Sequence, residues 1–131
     1  MKRVVGIGGV FIKSRDPETL MAWYRTHLGM DIQDWGGMVF QWNTPESPIS
    51  NGATVWSIFE ESSEYFAPSE AQFMVNYRVE DLQAVLDALR VEGCDVDTRT
   101  EESEFGKFGW VMDPDGNRVE LWEPPPDPID G

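Results

Sequence analysis

A chain of 131 residues, 40 % of them hydrophobic and with six Trp and seven Phe, has apolar volume enough for one core, shared by one domain or two small halves, and too many aromatic residues for a disordered segment. Its 24 Asp and Glu against 10 Lys and Arg give a formal net charge of −14. That field repels phosphate backbones and anionic lipid, which argues against nucleic acid and membrane surfaces as partners and leaves solubility, or attraction of a cationic ligand, as its use.

After Met-Lys-Arg, the stretch VVGIGGVFI is β-branched and aromatic and predicts a strand ending near Ser14. Charge returns too early for a signal peptide and no 18-residue apolar run follows, so a soluble, cytoplasmic protein is expected. GIGG, residues 6–9, has too few positions for a dinucleotide fingerprint and leads into no helix; close packing or a bulge accounts for it. Asp16-Pro17 supplies an N-cap and a proline at the first helical position, and Leu20, Tyr24 and Leu28 recur at four-residue steps until Gly29. His27, the one histidine, follows Trp23 by one turn and reads as an ordinary rim histidine. Strand character then appears in DIQDW, MVFQW and ATVWSIF, with Gly36-Gly37 placed for a hairpin turn and a loop over 43–52. ESSEYFAPSE, residues 61–70, reads as a linker.

The second half repeats this grammar. FMVNYRV predicts a strand, Asp81 an N-cap, and Leu82, Val85, Leu86 and Leu89 a helix stopped by Gly93; CDVDT, FGWVM and RVELW are further strands. Cys94 excludes an intrachain disulfide or a Cys-rich zinc site, being the single cysteine, and reads as a buried inert thiol. EESEFGK (101–107) is a solvated turn between strands or, alternatively, a lid, and Asp115-Gly116-Asn117 marks a tight hairpin. EPPPDPIDG cannot be helical and forms an extended or frayed end. The fold class is α+β: two β-α-β-β-β modules, 4–60 and 71–124, joined by the linker 61–70 and followed by a tail, 125–131. Each helix covers one face of its strands, and the uncovered faces meet in a curved sheet cup.

The paired modules, the opening Asp16-Pro-Glu-x-Leu-x-x-Trp-Tyr-x-x-x-Leu-Gly29 and the closing Asp113-Pro-Asp-Gly-Asn-x-x-Glu120-Leu resemble the vicinal oxygen chelate superfamily over residues 4–124. That superfamily holds lactoylglutathione lyase (glyoxalase), bleomycin resistance proteins, fosfomycin resistance enzymes and extradiol dioxygenases. The resemblance implies a glyoxalase/bleomycin resistance/dioxygenase-like fold. It also implies where a metal would be held: one ligand from the first strand and one from the last strand of each half. The first-strand positions, seven residues before each capping Asp, are Gly9 and Met74; the last strand of the first half offers Trp56 or Ser57; only Glu120 matches. Glycine carries no ligand, and a thioether suits soft copper. With one histidine in the chain, a two-His, one-carboxylate iron centre and hence a dioxygenase are out of reach. One carboxylate also stops short of the three protein ligands of catalytic zinc. No cofactor is expected, with a divalent metal left open.

Alternation along RVELW puts Arg118, Glu120 and Trp122 on one face and Val119 and Leu121 on the other. With the aliphatic pair against the helices, Glu120 points into the cup. The same rule brings Gly9, Phe11 and Lys13, then Met74, Asn76 and Arg78, to that space, joined by Trp56 or Ser57 and by Trp110. The candidate ligand-binding residues are therefore Phe11, Trp56, Met74, Asn76, Arg78, Trp110, Arg118, Glu120 and Trp122. A carboxylate there needs a partner or loses its charge. An ion pair with Arg118 or Arg78, a hydrogen bond or cation from a ligand, and a base role toward a substrate C–H are the open readings. The first reading is a metal-independent protein binding a small cationic or aromatic molecule, a homodimer as the resemblance implies. The alternative is a glyoxalase-like lyase or isomerase with Glu120 as catalytic base or residual metal ligand.

Overall fold

The computed structural model describes residues 3–42 and 52–126. The first half opens with β1 (Val4–Ser14) and α1 (Pro17–Leu28). Asp16 caps α1 by accepting from the Thr19 amide at 3.2 Å and the Thr19 hydroxyl at 2.7 Å. Gly29, at φ 65°, ends the helix and donates its N–H to the Tyr24 carbonyl. β2 (Gly37–Gln41) and β3 (Ala53–Glu60) complete this half. The second half runs β4 (Phe73–Val79), α2 (Leu82–Val91), β5 (Asp95–Val96), β6 (Glu101–Ser103), β7 (Gly106–Met112) and β8 (Arg118–Glu123). Asp81 caps α2 through the Ala84 amide at 3.1 Å. Among the described residues no helix is long and apolar enough to cross a membrane.

All eight strands belong to one mixed sheet in the order β2-β3-β1-β4-β8-β7-β5, with β6 also on β7. The halves join where β1 lies antiparallel to β4, and each of these strands has a parallel neighbour on its outer side, β3 and β8. The β1–β4 register shifts at Val4/Gly6 and again at Ile7/Gly9, so the GIGG run does mark bulges. The β7–β8 hairpin closes as its sequence predicts: the Asp113 carboxylate accepts from the Asp115 and Asn117 amides, both at 2.9 Å, and Gly116 takes φ 83°.

Four expectations are corrected. DIQDW is no strand: Gln33 donates its N–H to the Gly37 carbonyl at 2.8 Å, Gly36 turns back at φ 100°, and Arg25 binds the Ile32 carbonyl at 2.7 Å, so the segment's polar groups are satisfied in a turn. CDVDT contributes only the two residues of β5. EESEFGK is more than a turn, because Glu101–Ser103 pairs with β7 as one arm of a hairpin. Cys94 is exposed rather than buried. The loop expected over 43–52 lies, but for Gly52, outside the described residues, as do tail residues 127–131.

The helices cover the sheet unequally. Leu82, Val85 and Leu86 of α2 are buried against Val79 and Leu121, and Gly109 lets the helix approach, since a Cβ there would stand 3.0 Å from Leu86 Cδ1. α1 has no fully buried residue; its best-packed contact sets Tyr24 edge-on to Trp56 at 4.9 Å. Leu86→Ala is accordingly expected to cost about 2–5 kcal/mol in urea unfolding, the range for emptying a well-packed leucine site, and the half-buried Leu20→Ala less than half as much.

Candidate functional site

Alternation along β8 turns Val119 and Leu121 to the helical side and Glu120 to the concave face, where it is only 1 % exposed. Three donors converge on its carboxylate: Asn76 Nδ2 on Oε1 at 2.7 Å, Trp110 Nε1 on Oε2 at 2.9 Å, and the Tyr65 hydroxyl on Oε2. Asn76 and Trp110 are its direct cross-strand neighbours on β4 and β7. Neither expected arginine pairs with it. Arg118, 4 % exposed, commits its guanidinium to the Tyr65 carbonyl and to Asp97 at 3.5 Å, and lies over the Trp110 ring at 4.5 Å. Arg78 lies over the Trp42 ring at 5.5 Å.

Tyr65 comes from the segment read as a linker, which folds into the concave face. Its ring stacks on Phe59 at 5.6 Å and meets Trp110 edge-on at 6.4 Å, while the neighbouring Phe66 is fully enclosed and packs on Phe59 at 5.3 Å. Burial, reinforced by the Glu120 charge, pushes the Tyr65 phenol far above its ordinary ionisation range.

On one side of the hydrogen-bonded Glu120–Trp110 pair lies a cavity of about 220 Å³ lined by Gly8, Phe11, Val55, Asn76, Phe105, Phe108, Glu120 and Trp122. Phe108 and Trp122 are stacked at 6.1 Å and 11°, and Trp122 Nε1 donates to the Phe105 carbonyl at 2.7 Å, fixing the hairpin tip beside the ring. Gly106, at φ 115°, is required at that tip: a Cβ would stand 2.3 Å from the Glu123 carbonyl oxygen. On the other side, Arg118, Trp110, Asp97, Pro68 and Met112 help line a smaller hollow of about 130 Å³.

Of the sequence candidates, Phe11, Asn76, Glu120 and Trp122 thus share the larger cavity. Met74 and Trp110 are buried, Trp110 behind the carboxylate, and Arg118 belongs to the smaller hollow. Trp56 points the opposite way, to α1; its neighbours Val55 and Ser57 face inward, because Val55 lines the cavity and Ser57 pairs with Phe11. Sequence reasoning missed Tyr65, Val55, Phe105 and Phe108. Phe108 had a signal, since it alternates with Trp110 along FGWVM; the Tyr65-Phe66 pair in a polar linker was another.

Residues 9–122 match the family model described as a glyoxalase-like domain. The chain belongs to that family. In three dimensions it is similar to methylmalonyl-CoA epimerase from Mycobacterium tuberculosis, 22 % identical, with 94 % of this chain and 90 % of that one covered and a TM-score of 0.64. A variant of the Streptomyces coelicolor methylmalonyl-CoA epimerase in complex with 2-nitronate-propionyl-CoA is 15 % identical over 94 % and 99 % of the two chains, with a TM-score of 0.67. A glyoxalase/bleomycin resistance protein/dioxygenase superfamily member from Vibrio splendidus 12B01 is 10 % identical over 89 % and 97 %, with a TM-score of 0.56. At these identities the shared property is the fold. No curated protein matches the sequence closely enough to count as a relative.

Among the described residues no three His, Cys, Asp or Glu side chains gather where they could hold an ion. His27 stays on α1 beside Trp23, at 5.4 Å between rings. Around Glu120 the polar neighbours aim hydrogens, not lone pairs, at the carboxylate.

Tyr65→Phe removes one of those donors and is expected to cost about 1–3 kcal/mol at neutral pH, the range for leaving a buried acceptor short of a partner. The native state holds the phenol proton more tightly than the unfolded chain. Its contribution is therefore fully present below pH about 10 and lost as pH rises further. Urea midpoints measured across alkaline pH should fall more steeply for the wild type than for Tyr65→Phe; parallel curves would contradict the assignment.

Proposed function

We propose that this glyoxalase-like domain binds a small molecule in the aromatic cavity above Glu120, without a protein-held metal and without transforming the ligand. One observation carries the reading: both Glu120 oxygens are committed to protein donors at the cavity floor, and the carboxylate is almost wholly enclosed. A general base must bring a free lone pair within reach of the proton it takes, and here three of about four acceptor sites are filled and the carboxylate is 1 % exposed. Held as it is, Glu120 serves as a fixed charge beneath walls of Phe11, Val55, Phe105, Phe108 and Trp122. Such a concave, largely apolar space with one placed charge is what ligand recognition requires. The homodimer implied by the family resemblance and the cytoplasmic setting expected from the sequence belong to the same reading.

The second reading, an isomerase with Glu120 as base, is supported by the fold shared with methylmalonyl-CoA epimerases and needs a substrate proton to reach the lone pair left on Oε1.

Elemental analysis, followed by titration with zinc, nickel, manganese and iron(II) under tryptophan fluorescence, is expected to show no stoichiometric metal. Sub-micromolar binding of any of them at one equivalent would sink the proposal. Val55→Trp, which fills the cavity, should weaken binding of the neutral probe 1-aminonaphthalene by more than about tenfold, or 1.4 kcal/mol, in calorimetry; unchanged affinity would place binding elsewhere.

A further inference from the structure

The polar floor of the cavity carries one sign. Glu120 is charged in the company of three neutral donors, and among the described residues no Lys or Arg forms an ion pair with it. Arg118, two residues along the same strand face, is engaged by Asp97 and the Tyr65 carbonyl. Asn76, 3 % exposed, adds to the imbalance. Its Nδ2 must face Glu120, because a carboxylate only accepts, and this turns Oδ1 the other way, where it has no hydrogen-bond partner. That oxygen lies close to Gly8: a Cβ there would stand 2.3 Å from it and 2.7 Å from Trp122 Cε3. Carboxylate and amide oxygen thus give the floor a negative potential, with little water to screen it. The walls are rings. Phe108 and Trp122 form a stacked pair, and Phe11 and Phe105 stand on the remaining sides. Ring faces are themselves negative, so walls and floor favour the same charge.

Resting on the binding reading above, we infer that the cavity selects a compact planar cation, a protonated heteroaromatic of one or two rings, over neutral and anionic molecules of equal shape. A volume of about 220 Å³ holds little more than that, and a carboxylate or phosphate entering to the same depth would meet the Glu120 carboxylate, with the side-chain donors of the described lining residues, Asn76 and Trp122, already engaged. The net charge of −14 adds long-range attraction for such a ligand.

The test compares two probes of one shape, protonated 4-aminoquinoline and neutral 1-aminonaphthalene, by calorimetry on the wild-type protein at pH 7. The cation is expected to bind at least about tenfold more tightly, a preference of 1.4 kcal/mol, with Glu120→Gln bringing the two within about threefold of each other. Equal or tighter binding of the neutral probe overturns the charge selection while leaving the aromatic cavity as a binding site. Binding of neither overturns both readings. Since Glu120→Gln disturbs a buried network and can fail to fold, the wild-type comparison decides on its own.

Discussion

The concave face is organised by the burial of one carboxylate. Taking an ionised Glu120 out of water costs several kcal/mol, and only well-aligned donors offset it; hydrogen bonds to a charged group contribute about 1.5–3 kcal/mol each. The three donors come from β4, β7 and the segment between the halves. Two of them depend on register. Asn76 and Trp110 stand directly opposite Glu120 across β8, so slipping β8 by one residue would drive the charge into the cluster of Leu82, Val85 and Leu86. The third depends on the chain path: residues 61–70 must cross the concave face for Tyr65 to reach. A buried polar group whose partners sit on three elements thus specifies register and connection together, which an apolar residue at position 120 would not do.

Around that centre the two halves contribute differently. The second half supplies the carboxylate and two of its donors, Asn76 and Trp110, together with the stacked Phe108–Trp122 pair, all on strands fastened to α2 through a dense aliphatic core. The first half supplies space. Gly8 keeps room beside Asn76 and Trp122, Gly9 carries no side chain where the superfamily resemblance puts a ligand, and Val55 and Phe11 form a smooth wall. The other resemblance-derived position, Met74, is a buried thioether. Gly9 and Met74 thus serve packing, and Glu120 is the carboxylate that lines the aromatic cavity.

Much of this was legible in the sequence because it is local. Asp16-Pro17, Asp81 and Asp113-Pro-Asp-Gly-Asn carry their hydrogen-bond partners within four residues, so caps and turn formed where they were read. The orientation of Glu120 followed from period-two alternation between two aliphatic residues. Trp56 and Ser57 posed the same parity problem without such an internal reference, since ATVWSIF is apolar on both faces. Long-range contacts fix which side is which, Trp56 with Tyr24 on one and Val55 in the cavity wall on the other. DIQDW failed for a related reason: its strand propensity lost to a side chain seven residues away, Arg25, which takes the Ile32 carbonyl. Tyr65 was beyond reach because its partner lies 55 positions later, and nothing in ESSEYFAPSE says that the chain turns inward there.

The same arrangement sets what chemistry the fold permits. For Glu120 to take a proton from a substrate, either the lone pair left on Oε1 must be reached inside an almost wholly enclosed site or one of its three donors must withdraw. Asn76 and Trp110 are fixed by the strand pairing that builds the sheet, and moving either would break the register on both sides of β8. Tyr65 alone is carried outside the sheet, on a segment anchored by Phe66 among the rings and by Arg118 at the Tyr65 carbonyl. Asp97 and Arg118 on one side, and the cavity on the other, therefore meet at a single residue. Displacement of Tyr65 would uncover Oε2, the oxygen that its hydroxyl now occupies. While Tyr65 stays in place, two of the three donors hold Oε2 and one holds Oε1, and the carboxylate keeps its fixed position at the cavity floor.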